Sequence, residues 1–207
     1  FFHPHPGIPD AQESRGLGDV YKRQAKAVFA YDPRTGKEIW TIRYGNHSSA
    51  ARTLVGHDMA FINTGYGKAE LLGIRIDGKG DVTDTHIVWR LRKGAPNKPS
   101  PVLHNGHLYT VTDGGIASCI HPKTGNIIWQ ARIGGEYSAS LLLSEGNIYC
   151  FDQGGICLVF QANPKEFKQV SKSKLDDGFM SSPAALLNSL ILRTKTHLYR
   201  IKKRVNK

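Results

Sequence analysis

Three sets of side chains in this sequence have types and spacings that suit chemistry. Cys150 and Cys157 flank the hairpin Phe151-Asp152-Gln153-Gly154-Gly155-Ile156. A two-residue turn at Gln153-Gly154 sets the cysteines directly opposite each other, at a Cα separation of about 5.5 Å that a disulfide can bridge. A one-residue change of register breaks that pairing and leaves two reduced thiols packing as small hydrophobes. Either outcome is structural. His104 and His107 bracket Asn105-Gly106, with His57 at the comparable place in an earlier unit. That spacing brings two imidazoles together on a turn, but zinc needs further ligands and none lies nearby in sequence, so turn histidines are expected. Asp77, Asp81 and Asp84 resemble the start of a calcium loop, yet Lys79 occupies a ligand position and no Glu closes the pattern. The chain has no Ser-His-Asp order, no paired-carboxylate motif and no phosphate loop opening a helix. Catalysis has no positive support.

The elements that would carry such groups are short strands and tight turns. The 207 residues are 40% hydrophobic and 22% charged, enough to bury an ordinary core. Gly is high at 22, and Leu, Ile, Val, Tyr and Trp recur in bursts between Gly, Asn and Asp punctuation. The longest apolar run, Ala184 to Leu192, is interrupted by Asn188 and Ser189, far short of the ~20 residues of a bilayer helix. Twenty-eight Lys and Arg against 17 Asp and Glu leave a net charge of +11, which favours an anionic partner. The basic residues are densest at Lys195, Arg200, Lys202, Lys203, Arg204 and Lys207, with 204–207 a basic tail. Tyr199 lies among them, but no nucleic-acid module accompanies it, so nucleic acid is not the expected partner.

The stretch before Ala25 has no hydrophobic period of two or 3.6. Its last six residues, Asp19-Val20-Tyr21-Lys22-Arg23-Gln24, are the translation of GAT GTG TAT AAG AGA CAG, which resembles a transposon end used in preparing sequencing libraries. Residues 1–24 are therefore set aside as read-through, or as a natural disordered segment, and His3 and His5 with them.

Residues 25–203 repeat. Asp32-Pro33-Arg34-Thr35-Gly36-Lys37-Glu38-Ile39-Trp40 and His121-Pro122-Lys123-Thr124-Gly125-Asn126-Ile127-Ile128-Trp129 each read as a strand, a Thr-Gly turn and a second strand running into Trp. Ile87-Val88-Trp89 ends a third copy after a longer turn, and a fourth keeps Pro164-Lys165 but has Ser171 where Trp would stand. Asn105-Gly106-His107-Leu108-Tyr109 matches Glu145-Gly146-Asn147-Ile148-Tyr149, and each precedes a glycine hairpin, Gly114-Gly115 and Gly154-Gly155. Ser100-Pro101 and Ser182-Pro183 open further units. Four short strands per unit is the plan of a propeller blade, which must stack on its neighbours to cover both faces. The Trp is expected between blades.

These motifs resemble the PQQ-like β-propeller repeat family. More narrowly, Pro99-Ser100-Pro101, Gly134-Gly135-Glu136-Tyr137-Ser138-Ala139-Ser140 and His197-Leu198-Tyr199-Arg200-Ile201 are similar to secreted bacterial propellers of the outer-membrane assembly lipoprotein type. The resemblance implies an all-β propeller of four-stranded antiparallel blades, as a partial ring of about four to five blades: the last two strands of one, three full blades, and three strands of a last one from Ser181 to Lys202. A ring of seven or eight blades takes ~280 to 320 residues at ~40 per blade, so roughly half is expected here, with edges and apolar faces that favour aggregation. It implies a non-catalytic periplasmic or secreted scaffold for a protein or anionic polymer, without cofactor. The alternative is a piece of a quinoprotein oxidoreductase, which would hold PQQ under a vicinal Cys pair and over calcium; Cys119, Cys150 and Cys157 are all separate.

Overall fold

Five sheets, antiparallel except where the short strand Gly80–Asp81 joins the first, follow one another along the chain in a computed structural model that describes residues 20–24, 26–47, 49–175 and 177–202. The first sheet joins β1 (Val20–Gln24), β2 (Ala27–Tyr31) and β3 (Glu38–Arg43). The second holds β4 (Leu54–Gly56), β5 (Met59–Asn63), β6 (Leu71–Arg75) and, after β7 (Gly80–Asp81), β8 (Ile87–Leu91). Next come β9 (Val102–His104), β10 (His107–Val111), β11 (Ile116–Ile120) and β12 (Ile127–Arg132), then β13 (Leu142–Ser144), β14 (Asn147–Phe151), β15 (Ile156–Gln161) and β16 (Gln169–Lys174). A three-stranded sheet of β17 (Ala184–Leu186), β18 (Ser189–Arg193) and β19 (Leu198–Lys202) ends the series. We number these blades one to five. The strand order is sequential in blades two to five, as hairpin connections require.

Turn chemistry sets the registers. Asn105 and Gly106 take φ of 45° and 73°, and Glu145 and Gly146 take 48° and 72°, the left-handed pair that matches a two-residue hairpin to strand twist. The glycine hairpins are one residue longer than expected. Asp152 N donates to Ile156 O at 2.9 Å and Gly155 N to Asp152 O at 3.2 Å, closing a three-residue loop with Gly155 at φ +89°. That turn gives the shifted register of the two left open above: Cys150 faces Leu158 and Cys157 faces Phe151. Cross-strand partners share a face and neighbours alternate, so the two thiols lie on opposite faces of blade four, and both are free.

Residues 20–24, within the stretch set aside above, pair along β2 as β1 from Val20↔Tyr31 to Gln24↔Ala27. A sheet edge bonds through backbone alone, so composition is no bar. His3, His5, Lys203, Arg204 and Lys207 lie outside the described residues.

The core lies between blades. Val28, Trp40 and Ile42 meet Ala60, Ile62 and Leu72; Phe61, Leu71 and Trp89 meet Leu108 and Ile120; Tyr109, Val111 and Cys119 meet Ile148, Cys150 and Phe160; Phe151 meets Phe179 and Leu192. Each joint packs one face of a blade on the next, which gives the alternation along the strands its purpose.

Candidate functional site

At three successive joints the same group crosses to the next blade. Trp40 Nε1 donates to Ile76 O at 3.3 Å, Trp89 Nε1 to Pro122 O at 2.7 Å and Trp129 Nε1 to Asn163 O at 2.9 Å. Each indole thus buries its ring in a joint and satisfies its one donor on a carbonyl just past the third strand of the neighbour. In blades one to three, a bulge falls next to that position: Trp40 faces Ala30, Trp89 faces Gly73 and Trp129 faces Cys119, each immediately before the register shifts. Small partners leave the ring its space. A Cβ on Gly73 would come within 2.1 Å of Trp89, and one on Gly125, at φ +72°, within 2.6 Å. Ser171 occupies the equivalent place in blade four, opposite Val159.

A second chain of contacts links the starts of the blades. Arg52 N donates to Ser100 Oγ at 2.9 Å, Ser100 N to Ser140 Oγ at 3.3 Å and Ser140 N to Ser182 Oγ at 3.0 Å. Arg52, Ser100, Ser140 and Ser182 each stand two residues before the first strand of a blade. Those first strands approach one another, β4 with β9 and β13 with β17, which puts the chain of hydroxyls on the axial side. The sequence patterns mark Ser100 and Ser182 through the prolines that follow them; Arg52 and the equivalence of Ser140, followed by Thr53 and Leu141, carry no such mark. Spacing from the strand start is the signal that would have found them. Partial burial lowers the pKa of the Arg52 guanidinium from its ordinary value.

The other candidates are also engaged in structure. His104 and His107 pair across β9 and β10, and His107 Nδ1 lies 2.9 Å from Asn105 O. His57 and Asp58 form the matching turn of blade two at φ 59° and 60°. Asp77 meets Arg75 and His86, each at 3.3 Å. Asp81 Oδ1 accepts from Thr83 N and Oγ1, and Oδ2 meets Arg43 Nε at 3.2 Å; the Thr83 bonds first, then Arg43, hold its carboxyl below the usual range. Among the described residues, no three His, Cys, Asp or Glu side chains gather to hold a metal. Burial raises Cys119 and Cys157 to about 11, and pushes Cys150 up as well, so none offers a thiolate near neutral pH. Two clefts open on blade two, the first of them shared with blade three. One of about 650 Å³ lies between the His57 turn, Val88 and Lys123, and another of about 570 Å³ lies between Gly67–Glu70, Arg92 and Asn97.

What repeats in this geometry is the joint. The family model described as outer membrane protein assembly factor BamB matches residues 24–166, more than half of the chain. The chain belongs to this family. BamB from Moraxella catarrhalis superposes with a TM-score of 0.69 at 16% identity, over 89% of this chain and 54% of that one. The computationally designed Ika8 protein gives 0.70 at 10% identity, over 89% and 55%. The Cps50 (Swd1) β-propeller domain of Myceliophteria thermophila gives 0.67 at 16%, over 92% and 68%. At these identities, the likeness to solved structures establishes the propeller fold. The chain spans about half the length of the first two. Comparison with curated proteins finds no match. No helix among the described residues is long and apolar enough to cross a membrane.

Proposed function

We propose that this BamB-family chain is a non-catalytic propeller scaffold of the cell envelope, on the extracytoplasmic side, that holds a protein or anionic polymer partner. The observation that carries this is the use of its polar groups. The indoles, the axial serines and the Asp81 carboxylate are all spent joining one blade to the next, a rigid frame whose loops and edges are left for binding. The family match supports the envelope assignment, and the excess of Lys and Arg supports an anionic partner.

A quinoprotein reading does not fit these residues. A quinone pressed between a vicinal cysteine pair and a calcium site needs adjacent thiols and converging carboxylates. Cys150 and Cys157 sit on opposite faces of blade four, and Asp77 and Asp81 are tied to separate arginines.

The test is a titration of the purified chain with pyrroloquinoline quinone and Ca²⁺, read by ligand absorbance and dye reduction, alongside cross-linking to envelope extract. Discrete cross-links to a defined partner, with no saturable quinone binding, are expected. Stoichiometric quinone binding with substrate-dependent dye reduction would overturn the scaffold.

A further inference from the structure

The outer edge of blade one carries a strand that does not belong to it. In blade two, the connection between β6 and β8 is longer than the Thr-Gly turns and reaches across the joint, where β7 pairs in parallel with β3: Trp40↔Gly80 and Thr41↔Asp81. Four contacts hold it there. Val82 N donates to Thr41 O at 2.9 Å, Arg43 N donates to Thr83 Oγ1 at 2.9 Å, Asp81 meets Arg43, and the Val82 side chain is buried in the joint. The recognised segment is thus a short extended Gly-Asp-Val-Thr: backbone for the edge, a carboxylate for a cation, an aliphatic side chain for the joint.

Blade three offers the same receptor without an occupant among the described residues. Its outer strand β12 ends the sheet order and runs Ile127 to Arg132, with Trp129 at the place of Trp40 and Arg132 at the place of Arg43. Arg132 makes no ion pair among the described residues. The bulged residue before the Trp differs in a telling way: Ile39, on the covered edge, is half-buried against the cluster that contains Val82, whereas Ile128 is 42% exposed. In blade two, Arg92 occupies the cation position but is already bound by Glu70 at 2.8 Å. The turn after β11, unlike the loop after β6, is too short to reach across to a neighbour's edge, and blade four's loop stops at Asn163 and Phe167 against Trp129.

We infer that β12 is a docking edge for an extended segment of a partner protein, taken up by parallel strand addition, with an acidic residue on Arg132 and an aliphatic residue after it in the joint at the level of Ala131. Backbone pairing supplies the affinity, and the cation and the joint supply the selection, as strand addition generally divides the work. This rests on the scaffold function proposed above and names the partner chemistry of one of its surfaces.

The probe is a fluorescein-labelled peptide copying residues 78–84, Gly-Lys-Gly-Asp-Val-Thr-Asp, titrated against the whole chain by anisotropy, with amide exchange to locate it. Saturable binding below about 1 mM is expected, with slowed exchange in β12. Arg132→Glu should weaken it at least tenfold, Arg132→Lys by no more than about threefold, and a peptide with Lys for its Asp should recover binding to the Arg132→Glu chain. A peptide with Pro in place of its Val should bind at least tenfold more weakly, because proline removes an edge hydrogen bond. No saturable binding, equal binding to the Arg132→Glu chain, or protection lying elsewhere would overturn the inference. These outcomes are independent of quinone binding, so loss of the edge would leave the scaffold standing, and quinone turnover would remove the scaffold while the peptide result still reported on β12.

Discussion

The joint between blades one and two and the joint between blades four and five are built on one plan with different amounts of material. The first buries ten residues in its cluster, among them Trp40 at no exposure, and is clasped from outside by β7. The second buries four among the described residues, has Ser171 in place of Trp, and leaves all six residues of β16 exposed. Stability in a stacked array is close to a sum over neighbouring units, so these joints set where the molecule opens first. A single tryptophan with its acceptor carbonyl separates the strong joints from the weak one. The same economy explains the small residues under each ring and the glycine in each Thr-Gly turn.

The sharpest way to break the contrast is Trp40→Ala. It empties a fully buried site and orphans the Ile76 carbonyl, and should cost about 3–5 kcal/mol by denaturant unfolding. Gly125→Ala strikes the same device from the other side, since its Cβ meets the Trp89 ring and its backbone is left-handed at φ +72°. About 1–3 kcal/mol is expected, with reduced quenching of Trp89 fluorescence as the ring is displaced. Ser140→Ala removes an acceptor for Ser100 N and a donor to Ser100 Oγ, and should cost about 1–2 kcal/mol. The smallest effect is on pH. Cys157, in the weak joint, is raised from 9.0 to about 11, so the folded state holds its proton where the unfolded state has lost it. Its contribution is full below pH 9 and falls away as pH rises toward about 11. Cys157→Ser should flatten that alkaline slope in a pH series of melting curves.

Much of this was legible in the sequence because the repeat is written in residues with few substitutes. Trp40, Trp89 and Trp129 announced the joints, and the proline alignment placed Ser171 where the register of β15 and β16 puts it. The hairpin at Gln153 was open by one residue, because Gly-Gly permits both a two-residue turn and the three-residue loop whose left-handed glycine is observed. That residue moves Cys157 to the other face. β7 was invisible: Gly80-Asp81 carries no strand propensity and pairs only because the edge of β3 is offered to it. The hydrogen-bond chain that links the axial serines escaped for a related reason, since bonds from backbone to hydroxyl leave little pattern beyond spacing.

Native-state hydrogen exchange across all five blades tests the nearest-neighbour account most directly. The account predicts that amides of β18 and β19 open at distinctly lower free energy than those of β5, β6, β10 and β11, and that Trp40→Ala lowers protection mainly in β2, β5 and β6. Equal protection of blade five and blade two, or a loss spread evenly over the chain in the variant, would contradict it.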